Sequence, residues 1–226
     1  MTTTRPAFVE IPVTEPRPGR AYFRTDVEGL RAIAVTAVVA FHAGVPFLTG
    51  GFVGVDVFFV ISGFLITGLL LREAQSTGRV GFKDFYARRA RRILPAATLV
   101  LVTTMIAASF VQPLLELYKT AQAVLASGLY YANWYFIGVD TDYFAQNAAE
   151  SPVLHYWSLA VEEQFYLGWP LLVLGAVVLS RRAPLIGSRI IVAVFACVTL
   201  ASLALSILTT LSDPTTAYMS TFTRAW

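Results

Sequence analysis

Arg31-Ala32-Ile33-Ala34-Val35-Thr36-Ala37-Val38-Val39-Ala40-Phe41-His42 is the stretch on which the reading of this chain turns. From Ala32 to Val55 no residue carries a fixed charge, and His42 is the one ionisable side chain in that run. On a helix, eleven residues rise roughly 16 Å in about three turns, so Arg31 and His42 share one face at different depths. Ionisable groups inside a bilayer are costly and mark function.

The remainder of the chain agrees with a membrane setting. Apolar residues make up 56% and charged residues 14% of the sequence, with a mean hydropathy of +0.64, far from the averages of a soluble domain. Charge-free runs recur at Ala32–Val55, Val57–Leu71, Ile93–Leu115, Thr120–Val139, Gln164–Ser180 and Ile190–Ser212. Most approach the ~17 to 25 residues that cross the hydrocarbon, which predicts about five or six membrane segments. The expected fold is therefore an all-α, polytopic integral membrane helical bundle. Cys197 lies in an apolar run and has no second cysteine to pair with, so packing is its default role.

The basic residues read as topology signals. Arg5, Arg17, Arg20, Arg24 and Arg31 precede or open the first run, seven more lie between Arg72 and Arg92, and Arg181, Arg182 and Arg189 form a third cluster. The positive-inside rule places all three on the cytoplasmic side, leaving Lys119 and Arg224 elsewhere. A net charge of +3 accounted for in this way does not point to nucleic acid as a partner. Residues 1–24 are polar, contain Pro6, Pro12, Pro16 and Pro18, and lack the apolar core of a secretory signal, so they read as a flexible cytoplasmic tail. Gly50 and Gly51 make an external turn. Parity then demands that Thr120–Val139 is not an ordinary crossing, since Ile93–Leu115 leaves the cytoplasm and Gln164–Ser180 re-enters it. Tyr130, Tyr131, Trp134 and Tyr135 favour a re-entrant or interfacial segment there. No internal repeat supports a transporter built from inverted halves.

Four motifs in order resemble the acyltransferase family 3 membrane enzymes. They are Asp26-Val27-Glu28-Gly29-Leu30-Arg31 through Phe41-His42-Ala43; Gly54-Val55-Asp56-Val57-Phe58-Phe59-Val60-Ile61-Ser62-Gly63-Phe64-Leu65-Ile66; Phe85-Tyr86-Ala87-Arg88-Arg89-Ala90-Arg91-Arg92-Ile93-Leu94-Pro95; and the Trp157–Pro170 block. The resemblance covers Tyr22 to about Trp226 and makes residues 25–226 a partial membrane acyltransferase domain, truncated relative to a family of roughly ten spans. It implies transfer of an acyl group, typically acetyl, from cytoplasmic acyl-CoA to a hydroxyl of a cell-surface carbohydrate or glycolipid, as in the bacterial polysaccharide O-acetylases. The implied setting is a bacterial inner membrane with a cytoplasmic N-terminus. The partners are acyl-CoA, the carbohydrate acceptor and membrane lipids, with no metal. Two alternatives stay open: a carrier that moves a lipid-linked sugar or small anion without making a bond, using the same His and Arg, or an inactive fragment.

The residues make physical sense of that scheme. His42 is the candidate general base or transient acyl carrier, because imidazole titrates near working pH. Arg31 can hold a donor phosphate or act as a helix-end anchor. Asp56, at a depth similar to that of His42, can orient the imidazole or face a helix dipole. Arg89 and Arg92, three apart, suit bidentate phosphate contacts and form the candidate acyl-CoA site, with Arg88 and Arg91 as a second such pair. Glu163 can bind acceptor hydroxyls or support the histidine; Glu162 and Glu163 also read as acidic residues at a helix start. Ser62 reads as packing at a small-residue contact. His155, Tyr156 and Trp157 read as a sugar-stacking surface or as interfacial anchors.

Overall fold

The computed structural model describes residues 24–77, 80–139, 151–182 and 187–225. The expected tail, Arg24 apart, and the acidic stretch Asp140–Glu150 lie outside these residues. The fold is helical throughout, with no strand among the described residues: α1 (Thr25–His42), a 3-10 turn (Gly51–Val53), α2 (Gly54–Thr77), α3 (Phe82–Val111), α4 (Leu114–Gly128), α5 (Ala132–Gly138), α6 (Tyr156–Arg182), α7 (Gly187–Ser212), α8 (Pro214–Met219) and a second 3-10 turn (Thr221–Thr223). Among the described residues, four helices are long and apolar enough to cross a membrane: Gly51–Ala74, Phe82–Val111, Tyr156–Arg182 and Arg189–Ser212. Of the six expected segments, the first and fourth do not meet that standard. The run Ala32–Val55 is not one helix: α1 stops at His42, and its first turns carry Asp26, Glu28 and Arg31. The run Thr120–Val139 is broken.

The directions of the helices follow from cross-contacts. Ser62 meets Glu162, Thr67 meets Trp169 and Ala74 meets Arg181, so α2 and α6 run parallel. Tyr86 meets Leu167 and Ala97 meets Tyr156, so α3 runs antiparallel to α6. The connection between α3 and α6 therefore begins and ends on one side of the bundle, which agrees with the parity argument for α4–α5. Gly128, at the end of α4, lies beside Leu101 in the middle of α3, so α4 doubles back only part of the way. The chain then breaks at Leu129–Tyr131, where Tyr130 takes φ 55°, and restarts as α5.

Such a break frees backbone groups that need partners. Gln164 Nε2 donates to the Tyr130 carbonyl (2.8 Å) and to Asn133 Oδ1 (2.9 Å). Asn133 Nδ2 donates to Thr221 Oγ1 (3.2 Å), and Thr221 donates back to Gln164 Oε1 (2.5 Å). Trp134 Nε1 donates to the same oxygen (3.0 Å). Proline poses a similar demand inside α6, because Pro170 has no N–H to offer the carbonyl four residues earlier. That carbonyl, of Tyr166, accepts from the Tyr86 hydroxyl at 3.3 Å, so α3 supplies the missing donor.

α1 and α2 approach closely because glycines face alanines. A β-carbon on Gly51 would lie 2.3 Å from the Ala37 carbonyl oxygen, and one on Gly54 would lie 2.5 Å from that of Ala34. Gly29 by contrast faces open space. Gly51→Ala and Gly54→Ala are each expected to lower stability by about 1–3 kcal/mol through overpacking, whereas Gly29→Ala leaves it unchanged or slightly raised. Thermal unfolding in detergent checks this; equal midpoints for all three would show that the α1–α2 contact is soft.

Candidate functional site

The third helix begins with aromatic and basic residues that its pitch distributes over the bundle face. Arg88, Arg89 and Arg92 line one cavity of about 550 Å³ together with Arg31 from α1, Ser62 from α2 and Glu162 from α6. Arg91 turns away and donates from Nε to the Ala87 carbonyl, so of the expected second pair only Arg88 faces the cavity. Arg31 also pairs with Glu28 one turn away (3.2 Å).

Arg89 is the most enclosed of these cations. Its guanidinium carbon sits 3.0 Å from the centre of the Tyr166 ring, and its nitrogens lie 3.9 Å from Glu162 Oε1 and 3.7 Å from Glu163 Oε1. Those separations are ionic rather than hydrogen-bonded, which leaves Arg89 Nε and Glu163 Oε1 buried without a hydrogen-bond partner among the described residues. Glu162 is held more firmly, accepting from Ser62 Oγ (2.6 Å) and from the Tyr166 hydroxyl. Two readings of the sequence are corrected by this. α6 starts at Tyr156, so Glu162 and Glu163 lie in its second turn rather than at a helix start, and Ser62 is a hydrogen-bond donor to Glu162 rather than a packing residue.

His42 lies at the other end of α1, exposed, with its ring edge-on to Phe41. Its Nδ1 is 2.8 Å from the Val38 carbonyl. A carbonyl only accepts, so Nδ1 is the donor, and in the neutral ring Nε2 carries the lone pair. The structure does not give Asp56 the role of orienting this ring: its carboxylate is bound by Arg224 (2.6 Å), whose guanidinium also covers the Tyr218 ring at 4.4 Å. Arg224 was missed because, outside the basic clusters, it carries no topology signal; its isolation was itself the hint of a specific partner. The expected sugar-stacking surface is also revised. Tyr156 and Trp157 are buried, Tyr156 donating to the Ala97 carbonyl (2.8 Å) and Trp157 packing on Tyr218, while His155 alone is exposed.

A smaller groove of about 380 Å³ adjoins the arginine cavity. It is lined by Arg92, Ile93, Ala97, His155, Tyr156 and Leu159, of which Arg92, Ile93 and Leu159 also line the arginine cavity. The arrangement thus offers a cationic chamber and, sharing part of its lining, a side groove with His155 on its wall.

A family model described as an acyltransferase domain, that of acyltransferase family 3, matches residues 24–223. The peptidoglycan O-acetyltransferase OatA of Listeria monocytogenes is 43% identical over 145 residues, 64% of this chain and 23% of that protein. The putative peptidoglycan O-acetyltransferase YrhL of Bacillus subtilis is 38% identical over 203 residues, 88% of this chain and 31% of that protein. A putative O-acetyltransferase of Staphylococcus aureus is 40% identical over 161 residues, 71% of this chain and 26% of that protein. The chain spans about a quarter to a third of the length of the curated relatives it matches. No solved structure matches it. With a family model covering nearly all of its described length, the chain belongs to acyltransferase family 3.

Proposed function

We propose that this protein transfers an acetyl group from cytoplasmic acetyl-CoA to a hydroxyl of a cell-surface glycan such as peptidoglycan, in a bacterial inner membrane with its N-terminus in the cytoplasm. The observation that carries this reading is the convergence of Arg31, Arg88, Arg89 and Arg92 on one cavity. Coenzyme A is an anion with several phosphates, and guanidinium forks chelate phosphate oxygens where ammonium groups act as point charges. Glu162 and Glu163 hold Arg89 by charge at the wall of that cavity, fixing the guanidinium that lines it.

In this scheme the acceptor hydroxyl attacks the thioester carbonyl, a carbon–oxygen bond forms and the carbon–sulfur bond breaks. His42 Nε2 either takes the hydroxyl proton and returns it to the departing thiolate or carries the acyl group transiently. Arg31 stands on the same helix, at the donor end. Asp56 acts through Arg224, fixing the segment that follows α8 over the top of α2. The O-acetyltransferase names of the relatives support the acceptor class.

Membranes containing the full-length protein, incubated with radiolabelled acetyl-CoA and a peptidoglycan-derived glycan, should place label on the glycan; label confined to the coenzyme would refute the reading. His42→Ala is expected to reduce transfer by on the order of a hundredfold to ten-thousandfold with insertion intact. Undiminished transfer by that variant would remove His42 from the chemistry. The double change Arg89→Lys with Arg92→Lys is expected to keep topology but raise the apparent Michaelis constant for acetyl-CoA several-fold, since positive charge survives and fork geometry does not. A donor titration unchanged from wild type would assign both arginines to anchoring. For orientation, Asp142→Cys and Gln146→Cys, made in a Cys197→Ser background, should react with an impermeant thiol reagent from outside. Reaction only after permeabilisation would invert the orientation.

A further inference from the structure

The chain has two histidines, and both serve one end of the bundle. His42 closes α1 and His155 precedes α6, yet they are near enough for the charge of His42 to bear on His155. Both side chains are exposed, so core packing does not explain either position.

The backbone around His155 is fixed. Its neighbours Val153, Leu154, Tyr156 and Trp157 are 0%, 4%, 5% and 1% exposed, so four buried side chains clamp the one that is presented outward. The Tyr156 hydroxyl ties this turn to the middle of α3 through the Ala97 carbonyl. The His155 ring packs against Tyr156 at 5.0 Å and lines the groove that Arg92 also lines. A polar ring held on a rigid frame, on the wall of a groove that shares Arg92, Ile93 and Leu159 with the cationic chamber, is placed for chemistry rather than for packing.

We propose that His155 is a catalytic residue of the acyl transfer, its imidazole N–H donating to the thioester carbonyl oxygen and to the oxyanion that this oxygen becomes. The inference rests on the acyltransfer reading above and takes His42 as base. The acceptor oxygen bonds to the carbonyl carbon while its proton passes to His42 Nε2. The carbonyl electron pair moves onto oxygen, where the His155 N–H holds it. Collapse restores the carbonyl, the carbon–sulfur bond breaks, and the thiolate takes the proton back from His42.

The electrostatics suit that division of labour. The surrounding protein mass, although the ring edge stays open to the groove, holds the proton affinity of His155 below the ordinary histidine value, and the charge of His42 lowers it further. His155 therefore favours its neutral form. An uncharged imidazole is the better match to a carbonyl oxygen that gains charge only in the transition state.

The two roles predict different rescues. A base needs a lone pair, whereas an oxyanion donor needs only an N–H, which a glutamine amide supplies. In the acetyl-CoA and glycan assay with the full-length protein, His155→Ala should lower kcat on the order of 10²- to 10³-fold, with KM for both substrates held within about twofold. His155→Gln should recover about tenfold or more of that loss. His42→Gln should recover nothing over His42→Ala. If His155→Ala folds poorly in detergent, the glutamine variant carries the test. Wild-type kcat in His155→Ala, or His155→Gln no better than His155→Ala with both inserted, overturns the proposal. Absence of glycan labelling by the wild type overturns the acyltransfer reading itself.

Discussion

A carboxylate inside an apolar bundle must be matched, and in this fold Glu162 is the group around which the matching is organised. It accepts from Ser62 of α2 and Tyr166 of its own helix, and Arg89 of α3 lies within ionic reach. Leaving one member of such a cluster alone in low dielectric costs several kcal/mol, so the contacts of α2 and α3 to α6 stand or fall together. Gln164, two residues on, gathers α4, α5 and the Thr221 turn in the same way. α1 is attached differently, by the absence of side chains at Gly51 and Gly54. Stacking of Phe165 on Trp169 (4.5 Å) and of Trp169 on Phe195 (5.3 Å) fastens α7.

The consequence is a scaffold with two chemically distinct ends. α1 carries Arg31 to the cationic chamber and His42 to the opposite end, roughly 16 Å away. Arg92 belongs to both the chamber and the groove that leads toward His155. In the proposed reaction a donor held by its phosphates in the chamber would need a long, flexible arm to bring its acyl group to the far end of α1.

Much of this was legible beforehand. Four of the six charge-free runs mark the long apolar helices, the basic clusters imply relative directions with which the α2, α3 and α6 contacts agree, and the Arg89 and Arg92 spacing marks the face that lines the chamber. What could not be read was local. Charge counting cannot see that α1 ends at His42, because nothing charged stops it there, and hydropathy is continuous across the break at Tyr130. Asp56 and His42 were matched by depth alone, but Arg224, which binds Asp56, arrives from far along the chain, a pairing no spacing encodes. Ser62 looked like a small packing residue because its acceptor, Glu162, lies on another helix.

The hydrogen-bonded ring of Gln164, Asn133 and Thr221 bears on the order in which the chain can be assembled. During synthesis Asn133 emerges well before Gln164, and Gln164 well before Thr221. Until α6 is inserted, the kink between α4 and α5 has no donor for the Tyr130 carbonyl, and until the turn after α8 is made the ring stays open. The α4–α5 hairpin therefore cannot settle within the hydrocarbon when it first leaves the insertion machinery. It must wait at the polar boundary and dock only after the later helices arrive, which makes the centre of the bundle the last part of this region to close.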